Sequence, residues 1–195
     1  TCMNTNANCR VCGSDYYDKA LLSYNNMPSS AQGFPELDEL ENDNGSSLNV
    51  FQCSTCGLVQ LNNNPVPYYK EVIRASAFSD EMKEFRSEQF QSWINKYKLA
   101  NKKILEVGCG KGEYLEILSH SGVKAFGIEY SKHSVNYCKK NNLAVTRGFL
   151  GDKTLNLYGQ PYEGFMCLSF MEHWPNPNKV LRSLSENLSD GAIGL

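Results

Sequence analysis

The chain has 195 residues, a formal net charge of −2 at pH 7 and 41% hydrophobic residues. This length suffices for one packed domain, or for a small module joined to part of a larger domain. The sequence has no run of basic residues, which argues against sequence-independent binding to nucleic acid. It also lacks an apolar stretch of membrane-spanning length and the pattern of a signal peptide, so we expect a soluble cytoplasmic protein with no membrane partner.

Two matching Cys-x-x-Cys-Gly motifs occur near the start of the chain, at Cys9–Gly13 and at Cys53–Gly57. Two such pairs supply four thiolates in a tetrahedron, which suits a structural Zn²⁺ ion with no open position for catalysis. Iron would fit the same ligands, and two disulfides are the other alternative. The predicted metal ligands are Cys9, Cys12, Cys53 and Cys56.

The other four cysteines lie at the terminus or inside apolar elements. They are Cys2, Cys109, Cys138 and Cys167. We interpret them as small buried hydrophobic side chains.

The segment between the two motifs, residues 25–47, is rich in Asn, Ser, Pro and acidic residues, and we predict that it loops out. Short strands are expected near Lys19–Tyr24 and Leu48–Gln52, and Leu58–Leu61 flanks the second motif as a small hairpin would. We therefore assign residues 1–64 to a zinc-binding module.

A turn and hinge are predicted at Asn62–Pro67, and a helix is predicted from Ser79. Ser79 is a natural N-cap, and the two acids after it favour the positive end of a helix. Residues 65–100 are therefore assigned to a linker and an N-terminal helix. The apolar side of this helix is predicted from Met82, Phe85, Gln89, Trp93 and Tyr97, with Phe90 and Ile94 beside it.

The stretch Ile104–Gly112 dominates the second half of the chain. Its apolar residues predict a buried strand, Lys103–Val107, and three glycines at alternate positions then force a tight turn into a helix, Glu113–His120. Strand, glycine turn and helix open a parallel α/β sheet, whose ligands bind at the carboxyl ends of the strands. The spacing G-x-G-x-G differs from the dinucleotide fingerprint and lacks the ending of a P-loop.

Further strands and helices follow in alternation. The predicted elements are a strand at Val123–Ile128 closed by Glu129, a helix at Lys132–Asn141, strands at Leu143–Thr146 and Gly164–Ser169, a helix at Asn178–Leu188, the segment Ser189–Gly191 and the start of a fifth strand at Ala192. An acid in the position of Glu129 can accept hydrogen bonds from both hydroxyls of a ribose.

The run Glu106-Val-Gly-Cys-Gly-Lys-Gly112 resembles motif I of class I S-adenosylmethionine-dependent methyltransferases. The run Glu172-His-Trp-Pro-Asn-Pro177 is similar to the segment after the fourth strand in the same superfamily. The resemblance implies an α/β fold with a Rossmann-like methyltransferase sheet over residues 101–195. That family orders its strands 3-2-1-4-5-7-6, and about five of them fit here, so we expect a C-terminally truncated sheet.

The same resemblance implies S-adenosyl-L-methionine as cofactor. It assigns Glu106 to the methionine end, Glu129 to the ribose hydroxyls and Tyr130 to the adenine edge. In this family the segment before the first strand covers the cofactor site, which implies the same role for residues 65–100 here. The remaining residues expected at the cofactor are Gly108, Cys109, Gly110, Gly148, Phe149, Leu150, Leu168 and Ser169, together with Tyr69, Arg74 and Phe78 from that segment.

The module with two cysteine motifs, followed directly by this domain, resembles the sugar C-methyltransferases that act on nucleotide-linked deoxysugars. Cys9–Gly13 matches their C-R-x-C-G, and Cys53–Leu61 matches their C-x-x-C-G-L-V-Q-L. The resemblance implies a small-molecule acceptor, in particular a nucleotide sugar. A carbon acceptor beside a carbonyl needs a base, and His173 is the candidate catalytic residue because it is the one histidine expected near the methyl group. Glu172 is interpreted as a structural acid.

Three other functions stay open. The first is an RNA methyltransferase whose zinc module grips RNA, which the acidic balance disfavours. The second is a nicotinamide dehydrogenase, which the glycine spacing disfavours. The third is a non-catalytic binding protein, which the intact glycine motif and Glu129 disfavour.

Overall fold

The computed structural model describes residues 8–29, 35–42, 44–71, 79–152, 155 and 157–195. The chain forms two compact units, one made of Thr1–Tyr69 with Pro175–Asn178 and the other of Lys70–Trp174 with Lys179–Leu195. Within the described ranges, every helix is too short or too polar to span a lipid bilayer.

The first unit contains a three-stranded antiparallel sheet of β1 (Leu22–Met27), β2 (Ser46–Gln52) and β3 (Val59–Leu61), in that order. Both predicted strands around the second motif are present. Strand β1 starts and ends three residues later than the predicted strand, Lys19–Tyr24. It extends further because Tyr24 and Met27 pair with Leu48 and Ser46 across a bulge. Strand pairing therefore takes up both ends of the segment predicted to loop out.

The second unit is a five-stranded, all-parallel sheet with helices, as predicted. Its strands are β4 (Lys103–Val107), β5 (Lys124–Glu129), β6 (Val145–Arg147), β7 (Tyr162–Met166) and β8 (Leu188–Gly194). The α-helices in the described part of the chain are α1 (Asp80–Tyr97), α2 (Glu113–Ser119), α3 (Lys132–Lys140) and α4 (Pro177–Ser185). The strand order is β6-β5-β4-β7-β8, which is the order 3-2-1-4-5 expected for the first five strands of the family sheet.

The central strand β4 is buried along almost its whole length. It pairs in parallel with β5 on one side and β7 on the other. One apolar cluster joins β4 and β7 to α1 and α2, and another joins Cys109 and Leu115 to α3 and β6. An apolar strand with partners on both sides is typical of parallel sheets covered by helices.

Helix α1 begins where predicted, since the Ser79 hydroxyl accepts a hydrogen bond from the Met82 amide at 3.1 Å. Its predicted apolar side is only partly right. Phe90, Trp93 and Ile94 are buried, whereas Met82, Phe85 and Tyr97 are exposed. The buried residues pack against the sheet cluster, so only the second half of the helix contributes to the core.

The start of the fifth strand differs from the prediction. Ser189–Gly191 was expected to precede the strand, but these residues lie inside β8. The pairing with β7 shifts register between Tyr162 and Gly164, and Gly191 has φ +76°. A glycine with positive φ permits such a bulge, so residues typical of a turn are accommodated within a strand.

Candidate cofactor cleft and candidate metal site

A cleft opens at the carboxyl ends of β4, β5 and β6, where the sequence predicted a ligand site. Its lining residues are Val107, Gly108, Ile128, Glu129, Tyr130, Gly148, Phe149, Leu150, Phe170, Trp174 and Val180. Six of them are residues predicted to bind the cofactor. Loops that follow three neighbouring parallel strands meet at one sheet edge, which explains how separate parts of the chain converge.

Glu129 closes β5 and ties that strand to the glycine turn. One carboxylate oxygen accepts a hydrogen bond from the Gly110 amide at 2.9 Å, and the other accepts one from the Ser131 amide at 2.8 Å. The residue is 9% exposed. Each carboxylate oxygen has a further lone pair, so the group can still accept hydrogen bonds from ligand hydroxyls.

Gly108 directly follows β4 and lines the cleft. It has φ +72°, and a Cβ atom built there would lie 2.5 Å from the Phe170 ring. Both the backbone conformation and the contact therefore require glycine. The Gly108 amide donates to the Ile128 carbonyl at 2.9 Å, which anchors the turn to the end of β5.

An aromatic cluster forms one wall of the cleft. The Phe170 ring lies 6.1 Å from the Phe149 ring and 6.2 Å from the Trp174 ring, both edge-on. Sequence reasoning missed Phe170 and Trp174, although both flank the Glu-His pair that it singled out. Their aromatic character beside that pair was the available signal.

Three predicted residues have side chains that pack inside the second unit instead of lining the cleft. Glu106 is completely buried beneath it. The Cys109 side chain is also completely buried and packs against α3, so only its backbone is near the turn that forms the site. Leu168 packs against the cluster around α1 and α2. Side chains alternate between the two faces of β4, so Glu106 lies on the face opposite Val107, which lines the cleft.

The other predicted residues have varied placements. Ser169 is exposed and has φ +53°, an uncommon conformation for a residue with a side chain. Tyr69 lies in a short 3₁₀ helix, Tyr69–Glu71, and belongs to the first unit. Arg74 and Phe78 lie outside the described residues. Gly110 contributes its amide to Glu129, as stated above.

His173 ends a 3₁₀ helix, Met171–His173, beside the aromatic wall. It is partly buried, and its ring lies 6.5 Å from that of Phe170. The imidazole is thus next to the cleft without lining it. Its role as a base stays a prediction.

Lys70 and Asp152 form an ion pair beside two rings that line the cleft, which the sequence gave no reason to expect. The Lys70 Nζ atom lies 2.8 Å and 2.7 Å from the two carboxylate oxygens of Asp152. It also lies 5.2 Å from the Tyr130 ring centroid and 5.1 Å from that of Phe149. The two residues are 82 positions apart, so no local pattern could link them.

The four predicted metal ligands come together in the first unit. Their sulfur atoms all lie within 4.8 Å of one another. Cys9 and Cys56 are 3.6 Å apart, and Cys12 and Cys53 are 3.3 Å apart, measured between Sγ atoms. Four thiolates at ~2.3 Å from a tetrahedral Zn²⁺ ion would lie ~3.8 Å from each other. The cluster therefore has the size that one such ion requires.

Hydrogen-bond donors surround these sulfur atoms. The amides of Thr55 and Cys56 each lie 3.4 Å from the Cys53 sulfur, and Gln60 Nε2 lies 3.2 Å from the Cys9 sulfur. Such donors favour the thiolate, the form that binds metal. Hydrogen bonds from the Ser14 hydroxyl and amide, with one to Cys53, lower the pKa of Cys12 to about 6.

Two of the other cysteines are fully buried as predicted, namely Cys109 and Cys138. Cys167 is only partly buried, because it follows the end of β7 rather than lying within it. Cys2 lies outside the described residues.

A parallel sheet with a glycine turn after its central strand, and an acid closing the next strand, is an arrangement found in nucleotide-binding α/β domains. Comparison with known families narrows this class. The family model described as "Methyltransferase domain" matches residues 82–194, more than half of the chain. The chain therefore belongs to this methyltransferase domain family.

Individual relatives give the same class. The ubiquinone biosynthesis O-methyltransferase of Proteus mirabilis is 28% identical over 98 residues, which are 48% of this chain and 40% of that protein. The enzyme of that name from Acinetobacter baylyi is 27% identical over 146 residues, covering 68% of this chain and 61% of that protein. The chain thus spans about two to three fifths of the length of these relatives.

A solved S-adenosylmethionine-dependent methyltransferase from Clostridium acetobutylicum has the same fold. The TM-score is 0.50 at 18% sequence identity, and the match covers 65% of this chain and 52% of that structure. At this identity the similarity establishes the architecture of the sheet.

Proposed function

We propose that the domain binds S-adenosylmethionine in the cleft and transfers its methyl group to a small-molecule acceptor. The observation that carries this proposal is the Glu129 carboxylate, held by the Gly110 and Ser131 amides at the edge of a cleft with aromatic walls. A fixed carboxylate accepts hydrogen bonds from ribose hydroxyls, and flat apolar side chains suit the faces of a purine.

Each part of the site has a role in this proposal. Glu129 holds the ribose, and Tyr130, Phe149 and Leu150 contact the adenine. The backbone at Gly108 lets the methionine part pass close to the sheet, and Glu106 offers negative charge to its ammonium group. The sulfonium carries its own leaving group, so the residues mainly orient the reactants and exclude water.

Calorimetry on the whole chain tests the cofactor. S-adenosylhomocysteine should bind, whereas NADH should not. Glu129→Ala should weaken binding of S-adenosylhomocysteine by roughly tenfold or more, because a charge-assisted hydrogen bond contributes ~1.5–3 kcal/mol. Glu88→Ala, a change at an exposed acid on α1, is the matched control and should leave the affinity unchanged. Unchanged affinity in Glu129→Ala would refute the assignment.

We further propose that the acceptor is a nucleotide-linked sugar methylated at carbon, with His173 as the candidate base. This proposal is supported by the two cysteine motifs, Cys9–Gly13 and Cys53–Leu61, and by the place of His173 beside the aromatic wall. Transfer of a labelled methyl group from S-adenosylmethionine to a keto-deoxysugar nucleotide is the direct assay, and a ribosomal RNA acceptor is the comparison. Preferential labelling of the RNA would overturn the sugar assignment.

We also propose that Cys9, Cys12, Cys53 and Cys56 hold one structural Zn²⁺ ion within a module of residues 1–64. The linker and first helix then span residues 65–100, and the methyltransferase domain spans 101–195. Mass spectrometry of the intact purified protein should find one zinc per chain. Cys53→Ser should lose the ion, while Cys167→Ser should keep it, because Cys167 lies outside the cluster.

A further inference from the structure

Two cysteines meet beneath the glycine turn, where the proposed reaction does not use them. Cys109 lies between Gly108 and Gly110, and Cys138 lies on α3. Both side chains are completely buried in one apolar cluster. The Gly110 carbonyl oxygen is 4.0 Å from the Cys109 sulfur and 3.5 Å from the Cys138 sulfur, and the two sulfur groups hydrogen-bond to each other. A pair of adjacent thiols therefore lies directly beneath the turn.

The backbone packs closely around this thiol pair. A Cβ atom built at Gly127 in β5 would lie 2.8 Å from the Cys109 sulfur, and one built at Gly112 would lie 3.1 Å from the Cys138 sulfur. Both approaches are shorter than ordinary van der Waals contact. Because a close-packed interior transmits displacements, a movement of either sulfur atom would shift the backbone of the turn.

The two thiols differ in acidity. The hydrogen bond to Cys138, with burial, raises the pKa of Cys109 well above its ordinary value of 9.0. The same hydrogen bond lowers the pKa of Cys138. The thiolate is the form of cysteine that reacts with oxidants. Cys138 is therefore the nucleophile of the pair, and Cys109 is the thiol placed to react with it.

We propose that Cys109 and Cys138 form a reversible disulfide under peroxide and that this bond switches off the cofactor cleft. The Cys138 thiolate attacks one oxygen of hydrogen peroxide, the O–O bond breaks, and the departing hydroxide takes a proton to become water. The sulfenic acid left on Cys138 is then attacked by the Cys109 sulfur, which releases a second water. The two thiols lose two electrons, and the peroxide gains them.

The effect on the cleft follows from the place of Cys109 in the turn, and it rests on the proposed function. A disulfide holds its two sulfur atoms ~2.05 Å apart, so it would tie Cys109 covalently to α3. The next residue, Gly110, donates its amide to the Glu129 carboxylate at 2.9 Å. Drawing Cys109 toward the helix would take this amide away from Glu129, the residue proposed to hold the ribose.

Burial sets the speed of the switch. Both side chains are completely buried, so peroxide reaches them only when the turn opens locally. Cys12 and Cys56 are exposed in the first unit. We therefore expect the pair beneath the turn to respond to sustained oxidation and not to a brief pulse.

Peptide mapping by mass spectrometry tests the reaction on the whole chain in buffer that contains zinc. Hydrogen peroxide should produce a linked peptide pair containing Cys109 and Cys138, and dithiothreitol should remove it. Calorimetry with S-adenosylhomocysteine tests the consequence. The affinity should fall at least about tenfold on oxidation, because a charge-assisted hydrogen bond is lost, and it should return on reduction.

Cys138→Ser removes the nucleophile and keeps a donor near the Gly110 carbonyl. This variant should bind S-adenosylhomocysteine like the unaltered chain, and peroxide should leave its affinity unchanged. Cys167→Ser, at a cysteine outside the cluster, is the matched control and should stay sensitive to peroxide. Both variants keep the four cysteines of the first unit, so oxidation there would lower both affinities alike.

Two results would overturn the switch: peroxide that yields no link between Cys109 and Cys138, and a linked chain that keeps its affinity. Thermal unfolding shows whether Cys138→Ser is folded, and the mapping of the unaltered chain does not depend on that variant. If the reduced chain does not bind S-adenosylhomocysteine, the proposed function fails and the switch fails with it, even where the mapping finds the disulfide.

Discussion

Different forces stabilise the fold of each of the two units. Among the described residues of the first unit, only Cys9 and Cys53 are buried. The second unit buries its central strand and parts of α1, α2 and α3 in continuous apolar clusters. The second unit therefore depends on the hydrophobic effect, and we expect the first to depend on an ion bound by its four thiols.

Size explains this difference. A short segment cannot remove enough apolar surface from water to offset the conformational entropy that it loses on folding. The first unit shows this directly, since Leu22 and Val59 on its sheet are each 52% exposed. The proposed metal ligation would supply the missing free energy, because an unfolded chain does not offer a preformed site.

Removal of the proposed metal should produce the largest difference in stability between the two units. Chelation at neutral pH should unfold the first unit and leave the second folded, since structural zinc contributes ~10–16 kcal/mol in small modules. Amide hydrogen exchange should show loss of protection in β2 and β3 with none in β4 and β5. Restored protection on adding zinc is the control. Protection in β2 that persists without metal would show that the sheet is stable alone.

A cavity made in the core of the second unit should destabilise that unit and leave the first unit unaffected. Leu115 is completely buried against α3, so Leu115→Ala should lower the free energy of unfolding by ~2–5 kcal/mol in urea titrations. Zinc content should not change. Leu181→Ala, at a residue 41% exposed on α4, should cost much less. Equal losses in the two variants would contradict the placement of the core.

The glycine turn allows a finer test within the second unit. Gly108→Ala and Gly122→Ala impose a side chain on similar backbones, with φ +72° and +78°. Only the first brings a Cβ against Phe170, whereas nothing lies within 4 Å of the second. Both should lose ~1–2 kcal/mol from backbone strain, and Gly108→Ala should also lose affinity for S-adenosylhomocysteine. If calorimetry finds equal affinity in both variants, the turn at Gly108 does not contribute to cofactor binding.

The smallest expected effect concerns Glu163 in β7. The Lys103 amide donates to its carboxylate at 2.8 Å, and this bond, with the nearby charge of Lys102, lowers the pKa of Glu163 below its ordinary value of 4.5. Its contribution is therefore present above pH 4.5 and is lost as the pH falls through the lower, folded-state pKa.

Because the group is about one third exposed, Glu163→Gln should cost at most ~1 kcal/mol near neutral pH. Urea titrations at neutral and acidic pH measure it: the difference from the unaltered chain should shrink in acid. Glu88→Gln, which alters an exposed acid on α1, is the control. A difference that grows in acid would show that the carboxylate form of Glu163 does not stabilise the fold.

Much of the sheet was predictable from local patterns. Apolar runs bounded by glycine predicted β4 and the turn at Gly108, and the acid at Glu129 was predicted at the end of β5. The side of α1 that packs was predicted only in part, and the bulge at Gly191 was not. Both depend on what the neighbouring strand or helix offers, which a single segment does not encode.

The sequence by itself determined the residue types that need special chemistry or geometry: paired cysteines for a metal, glycines for a tight turn and an acid closing a strand. These requirements are local, so they leave a pattern in adjacent positions. Only the tertiary structure brought Lys70 to Asp152, set Phe170 against Gly108, buried Cys109 and packed Leu168 against the core. Those contacts join distant segments through parallel crossovers, and no short-range periodicity specifies which side chains will meet.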